Sequence, residues 1–202
     1  MRRAASGRRL PRRLVQLYAG LVLFGVSMGM VVRSALGNIP WDVLHQGLSQ
    51  VTGLPFGTVA VIVSLLVLLL WVPLRERPGL GTISNALVIG PCAEVTLRLV
   101  PEDLPLWVRI GLFVFGVLLN GVATAAYIGA RFGPGPRDGL MTGLVSRTGG
   151  SIRIVRTGIE VVVVLIGWLL GGTFGVGTVL FALVIGPLIH VLLPRFEVPA
   201  AS

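Results

Sequence analysis

Apolar residues occupy six stretches of the chain, roughly 14–33, 58–74, 80–99, 107–130, 154–172 and 175–193, and charged residues fall mostly between them. A helix rises about 1.5 Å per residue, so a run near 20 residues crosses the ~30 Å hydrocarbon layer of a bilayer. The pattern predicts six membrane-spanning helices. It also predicts two interruptions, Gly- and Pro-rich loops at 34–57 and 131–153, each of about 25 residues. Loops of that length between packed helices are uncommon and are often functional.

The two loops resemble each other. GNIPWDVLHQGLSQVTG from Gly37 and GPGPRDGLMTGLVSRTG from Gly133 share Gly, Pro, Asp, Leu, Gly, Leu, Thr and Gly at an offset of 96. At the same offset GLGTISNALVIGP (79–91) and GVGTVLFALVIGP (175–187) match at nine of thirteen positions. A third pair, GLVLFG from Gly20 and GLFVFG from Gly111, is offset by 91, which predicts about five extra residues in the second half before its loop. Three spans per copy is an odd number, so the second copy enters the membrane from the opposite side. The expected fold is an all-α polytopic membrane protein with six transmembrane helices as two inverted three-helix repeats. Each repeat carries a Gly/Pro-rich loop, either re-entrant or interfacial. Along the chain this divides into a basic N-terminus (1–13), repeat 1 (14–100), repeat 2 (101–195) and a tail (196–202), within one membrane domain.

Composition narrows the class further. The chain is 54% apolar and 12% charged, with a mean hydropathy of +0.90, which leaves no room for a separate soluble domain. The net charge of +9 comes from 17 arginines and no lysine. These sit between apolar runs rather than along one soluble face, which excludes nucleic acid as the partner and assigns them to topology and lipid headgroups. With the N-terminus inside, fourteen arginines fall on the cytoplasmic side and three, Arg33, Arg98 and Arg109, on the other. Both termini are therefore expected in the cytoplasm. The basic start followed by an apolar run has the form of a signal peptide. Its apolar segment recurs deep in the chain, so it reads as an uncleaved first helix. Cys92 is the single cysteine and there is no metal-ligand spacing, so no disulfide, metal or other cofactor is expected.

Three features carry candidate chemistry. Pro40-Trp41-Asp42 and Pro136-Arg137-Asp138 each open a run of about a dozen residues, with proline in the first helical turn and an aspartate near the positive end of the helix dipole. Two half-helices dipping from opposite faces would line a central site; capping groups on interfacial helices would look the same. Gly90-Pro91 and Gly186-Pro187 interrupt the third span of each copy, where proline deletes a helical hydrogen bond and predicts a kink or unwinding. Paired interruptions of this kind point to transporter binding sites. Glu94 and His190, each three residues past the repeated proline, could relay protons; the alternative is that Glu94 pairs with Arg98 and His190 sits near the inner interface close to Arg195. Asn85 and Asn120 are polar within spans and could bond across helices. The Gly-x-Gly-Thr runs at 79–82 and 175–178 follow no strand and lack a Walker lysine, so they read as hairpin glycines.

With PWDVL, GPRDGLM and the repeated ALVIGP, the chain resembles the YczE/YyaS/YitT-type bacterial integral membrane proteins over nearly its whole length after the basic N-terminus. The resemblance implies a small multi-spanning protein of the bacterial inner membrane, and carries no activity or binding residue with it. Inverted repeats, paired broken helices and two acidic loops favour a gradient-driven transporter or channel for a small solute or ion, since no ATP-binding motif is present. The alternative is a non-transporting binding or accessory component acting with a membrane partner protein. An enzyme is not expected, because no nucleophile–base or metal constellation has recognised spacing. The short length is consistent with a homodimer.

Overall fold

The computed structural model describes residues 2–198, with side chains from residue 10 onward; the side chains of Arg2, Arg3, Arg8 and Arg9 and the tail beyond residue 198 lie outside the described part. Eight helices follow in order: α1 (Arg2–Ser34), α2 (Pro40–Thr52), α3 (Phe56–Leu74), α4 (Leu80–Leu99), α5 (Leu106–Gly129), α6 (Pro136–Thr148), α7 (Ile152–Leu169) and α8 (Val176–Phe196). There is no strand among the described residues. The bundle is apolar outside, and its largely apolar core also encloses polar side chains. Leu69, Leu99, Leu169 and Leu183 are exposed, while Ser27, Asn38, Asp42, His45, Thr82 and Asn120 are buried beside clusters such as Leu17, Leu21 and Met28. An apolar exterior with polar groups kept inside suits a hydrocarbon surround.

Five helices are long and apolar enough to cross a membrane: the Leu10–Ser34 part of α1, then α3, α4, α5 and α8. The expected span at 154–172 is α7, which does not reach that standard, because Arg153, Arg156 and Glu160 lie in its first half.

The short helices α2 and α6 are set by local chemistry. Each opens on proline at N1, after Ile39 (φ −56°, ψ 142°) and Gly135 (φ −65°, ψ 161°), extended conformations that a following proline favours. Each closes on a left-handed glycine, Gly53 (φ 71°) and Gly149 (φ 66°), whose N–H donates to the carbonyls of Ser49 and Val145. Thirteen residues give about 20 Å of helix, too short to span.

The offset of 96 runs through the coordinates. The left-handed residues Ala35, Gly37, Gly53 and Arg75 recur as Arg131, Gly133, Gly149 and Gly171. Arg13 Nε and Nη2 donate to the carbonyls of Ala130 and Arg131 (both 3.0 Å), and Arg109 Nε and Nη2 to those of Ser34 and Ala35 (2.7 and 2.9 Å). Each arginine thus caps the C-terminal carbonyls of the other half's first helix. The Gly81 N–H donates to Phe132 O and the Gly177 N–H to Leu36 O, each at 2.9 Å. The Gly-x-Gly-Thr runs therefore dock on the opposite half's loop, and more than a hairpin depends on them. Helix packing exchanges in the same way: α1 lies along α5, α2 packs on α7, and α3 packs on α6.

Two expectations are corrected. The first-helix offset is 96, not 91, because Gly116 approaches the Ser27 carbonyl as Gly20 approaches that of Ala123. The apolar runs around GLVLFG and GLFVFG offered no polar landmark to fix the register. Of the kink or unwinding expected in the third helices, the unwinding is absent, since α4 runs unbroken through Pro91 and α8 through Pro187. Both prolines point outward, and each costs its helix one N–H.

Candidate functional site

The N-termini of α2 and α6 meet inside the bundle, and all eight helices line a partly open chamber of about 330 Å³. Its polar lining comprises Arg137 and Asp138 of α6, Tyr127, Asn120 and Thr124 of α5, Asn85 of α4, Ser64 of α3, and Arg156 and Glu160 of α7. Phe24, Met28, Ile89, Phe181, Ile185 and Ile189 supply apolar walls.

Each charged group is held differently. Arg137 lies over the Trp41 ring, 5.1 Å from its centroid, with Nη2 3.7 Å from Asp42 Oδ1, beyond hydrogen-bond length. Asp138 accepts a hydrogen bond from the Tyr127 hydroxyl through Oδ2 (3.0 Å). Trp71 Nε1–H donates to Pro136 O (3.0 Å), anchoring the start of α6. Arg156 Nε donates to Glu160 Oε1 (2.9 Å), one turn apart on α7.

Behind the Trp41–Arg137 wall lies a second polar pair. Asp42 and His45 are both fully buried, with Nδ1 3.2 Å from Asp42 Oδ1. The contact is poorly aligned, and neither oxygen of Asp42 nor either nitrogen of His45 has a hydrogen-bond partner. The Phe56 ring stands edge-on to the imidazole at 5.9 Å.

Of the residues singled out from sequence, Pro40, Trp41, Pro136, Arg137, Asp138, Gly90 and Gly186 line the chamber. Asp42 stands behind the chamber wall, and Pro91 and Pro187 face away from it. Glu94 is elsewhere: its Oε2 accepts the Gly57 N–H (3.1 Å) at the start of α3, and its Oε1 pairs with Arg98 (3.1 Å). His190 is exposed on α8 and does not line the chamber. The sequence reading missed His45 and Tyr127. The signal for His45 was its place three residues after Asp42, on the same face of a helix opened by proline. Among the described residues no group of three or more metal-ligating side chains comes together.

The comparisons agree with a membrane protein. The chain is 41% identical over 177 residues to an uncharacterized protein of Haemophilus influenzae, covering 88% of this chain and 81% of that one. It is 33% identical over 181 residues to the uncharacterized membrane protein YczE of Bacillus subtilis (88% and 84%). To the uncharacterized protein YyaS of the same organism it is 28% identical over 182 residues (88% and 90%). No solved structure matches. A family model described as "Family of unknown function (DUF6198)" matches residues 11–194, and the chain, a multi-pass membrane protein related to YczE and YyaS, belongs to that family.

Proposed function

We propose that this protein is a gradient-driven transporter or channel for a small solute or ion, built as two inverted three-helix repeats around the central chamber. In this reading α2 and α6 are re-entrant half-helices that dip from opposite faces of the bacterial inner membrane and meet near mid-bilayer, and α7 is the sixth span. The observation that carries it is the meeting of the two Pro-x-Asp helix starts, from separate halves, at one chamber wall: Arg137 of the second half lies over Trp41 and beside Asp42 of the first. Charged groups inside a membrane are costly and tend to mark solute or ion paths. The reciprocal caps of Arg13 and Arg109, and the exchange of α2 and α6 between halves, support the antiparallel arrangement.

Two measurements test it. Purified protein in liposomes is challenged with labelled amino acids, carboxylates, amines and sugars. At least one of these accumulates; Asp138→Asn, which removes a charged group from the chamber wall, and Asp42→Asn, which removes the carboxylate beside Arg137, each lower its rate of accumulation by roughly tenfold or more. Unchanged flux in both variants defeats the site assignment. No flux of any solute, with a stoichiometric partner co-purifying, moves the reading to an accessory component. Separately, a phosphatase reporter fused after Pro101 becomes active outside the cell, whereas one fused at the C-terminus does not. Cytosolic exposure of the first would overturn the inverted arrangement.

A further inference from the structure

We infer that the buried Asp42–His45 pair is a proton-binding site, and that the proton is the ion whose gradient drives the chamber; the second clause rests on the transport reading above. The chamber and its wall hold the guanidiniums of Arg137 and Arg156 and the carboxylates of Asp42, Asp138 and Glu160. Arg156 and Glu160 satisfy each other. Arg137 is left facing two carboxylates, so one negative charge is in excess while His45 is neutral. A buried uncompensated charge is costly, and a buried carboxylate with no hydrogen bond is costlier still.

Space decides what balances it. Asp42 and His45 have no exposed surface, and neither lines the chamber. A solute or hydrated ion has no room between them, whereas a proton needs none. Four polar atoms without hydrogen-bond partners are gathered there, and Oδ1 and Nδ1 are already within 3.2 Å. Adding one proton to this pair cancels the excess charge.

The surroundings restrict the proton's partners. From α6, Arg137 faces Asp42, with Asp138 beside it in the chain. From α3, His45 meets the Phe56 ring. From the α7 side, α2 meets the backbone of Gly167 and, just past the helix end, Gly172, while the charged Arg156 and Glu160 lie on the chamber wall. Arg137 is therefore the only charged side chain that both touches the pair and lines the chamber, among the described residues. A proton on the pair releases Arg137 from Asp42 toward Asp138 and the chamber contents; loss of the proton draws it back. That exchange links proton occupancy to the solute site through one side chain.

The site is tested on the proton itself, without a solute. Infrared difference spectra of purified full-length protein, recorded as a function of pH, follow the carbonyl stretch of protonated carboxyl groups and the ring C–N stretch of isotope-labelled histidine. A protonation step of about one proton per chain is expected in the wild type. It is absent in Asp42→Asn, displaced or absent in His45→Gln, and present in Asp138→Asn. Thermal unfolding confirms that each variant is folded, and Asp42→Glu, which keeps the carboxyl group, retains the step. A step that persists in both Asp42→Asn and His45→Gln, or that disappears only in Asp138→Asn, overturns the site. The coupling is tested in liposomes loaded with the pH dye pyranine, using the labelled solute that accumulates. Wild-type uptake acidifies or alkalinises the lumen, and Asp42→Asn equilibrates the solute without concentrating it. Uptake that is indifferent to a pH gradient overturns the proton as coupling ion and leaves transport standing. A clean titration with no flux of any solute leaves the proton site standing and removes transport.

Discussion

Gly167→Leu is expected to abolish recovery of folded protein, while Gly158→Leu on the same helix melts within a few degrees of the wild type. The contrast follows from what each position faces. A Cβ at Gly167 would lie 2.6 Å from Leu44 Cα and closer still to the backbone of Val43 and Leu44, and a Cβ at Gly158 meets nothing within 4 Å. The obstacle at Gly167 is main chain in the middle of a helix, which has no rotamer with which to yield. Gly47 on α2 faces Gly167 in return, so the two helices touch backbone to backbone along this seam. Overpacking a tight contact costs about 1–3 kcal/mol for small insertions, and an isobutyl group against main chain exceeds that. Total stabilities are about 5–15 kcal/mol, so the loss takes much of what the fold has. The seam also positions the site, since α2 carries Trp41, Asp42 and His45. Intrinsic tryptophan fluorescence on heating and size-exclusion profiles in detergent read the outcome. A monodisperse Gly167→Leu protein with an unshifted melt would mean that α2 is not held by this seam.

Five of the six expected spans, the paired helix starts and the loops are legible in the sequence because each rests on local chemistry: apolar run length, proline at N1, glycine where the backbone turns left-handed. The sequence marks Trp41, Arg137, Asp138, Gly90 and Gly186 as candidates for one site, and the same reading includes Asp42, Pro91, Pro187, Glu94 and His190, which do not line the chamber. What was not legible depends on which element covers which face. His45 sits in a short run of mixed polarity and reads like a solvated face. It is buried because α2 is wedged among α3, α6 and α7, a tertiary fact. Tyr127 lies in an apolar span like any packing aromatic, and only the fold brings its hydroxyl to Asp138. Glu94 and His190 occupy equivalent positions, yet equivalence does not extend to their partners. Glu94 reaches the Gly57 N–H, and the residue 96 places after Gly57 is Arg153, where no close glycine contact can form.

That difference sets up an opposed pair of outcomes at the two Gly-Pro sites. A Cβ at Gly90 would run into the Gly57 carbonyl and stand 2.9 Å from Val61 Cγ2, so Gly90→Leu forces α3 and α4 apart and strips the Glu94 bond from the start of α3. A Cβ at Gly186 meets nothing within 4 Å, and α7 and α8 do not pack along each other as α3 and α4 do. Gly90→Leu is expected to lose about 2 kcal/mol or more, seen as a lowered melting temperature. Gly186→Leu is expected to melt with the wild type and to lose solute flux, because its side chain projects into a chamber of only about 330 Å³. The sequence treats these glycines as equivalent, and the structure makes one a helix contact and the other an uncrowded position on the chamber wall. If both variants unfold, α7 and α8 are closed over the chamber; if both fold and transport, the Gly-Pro sites are spectators and the solute passes elsewhere.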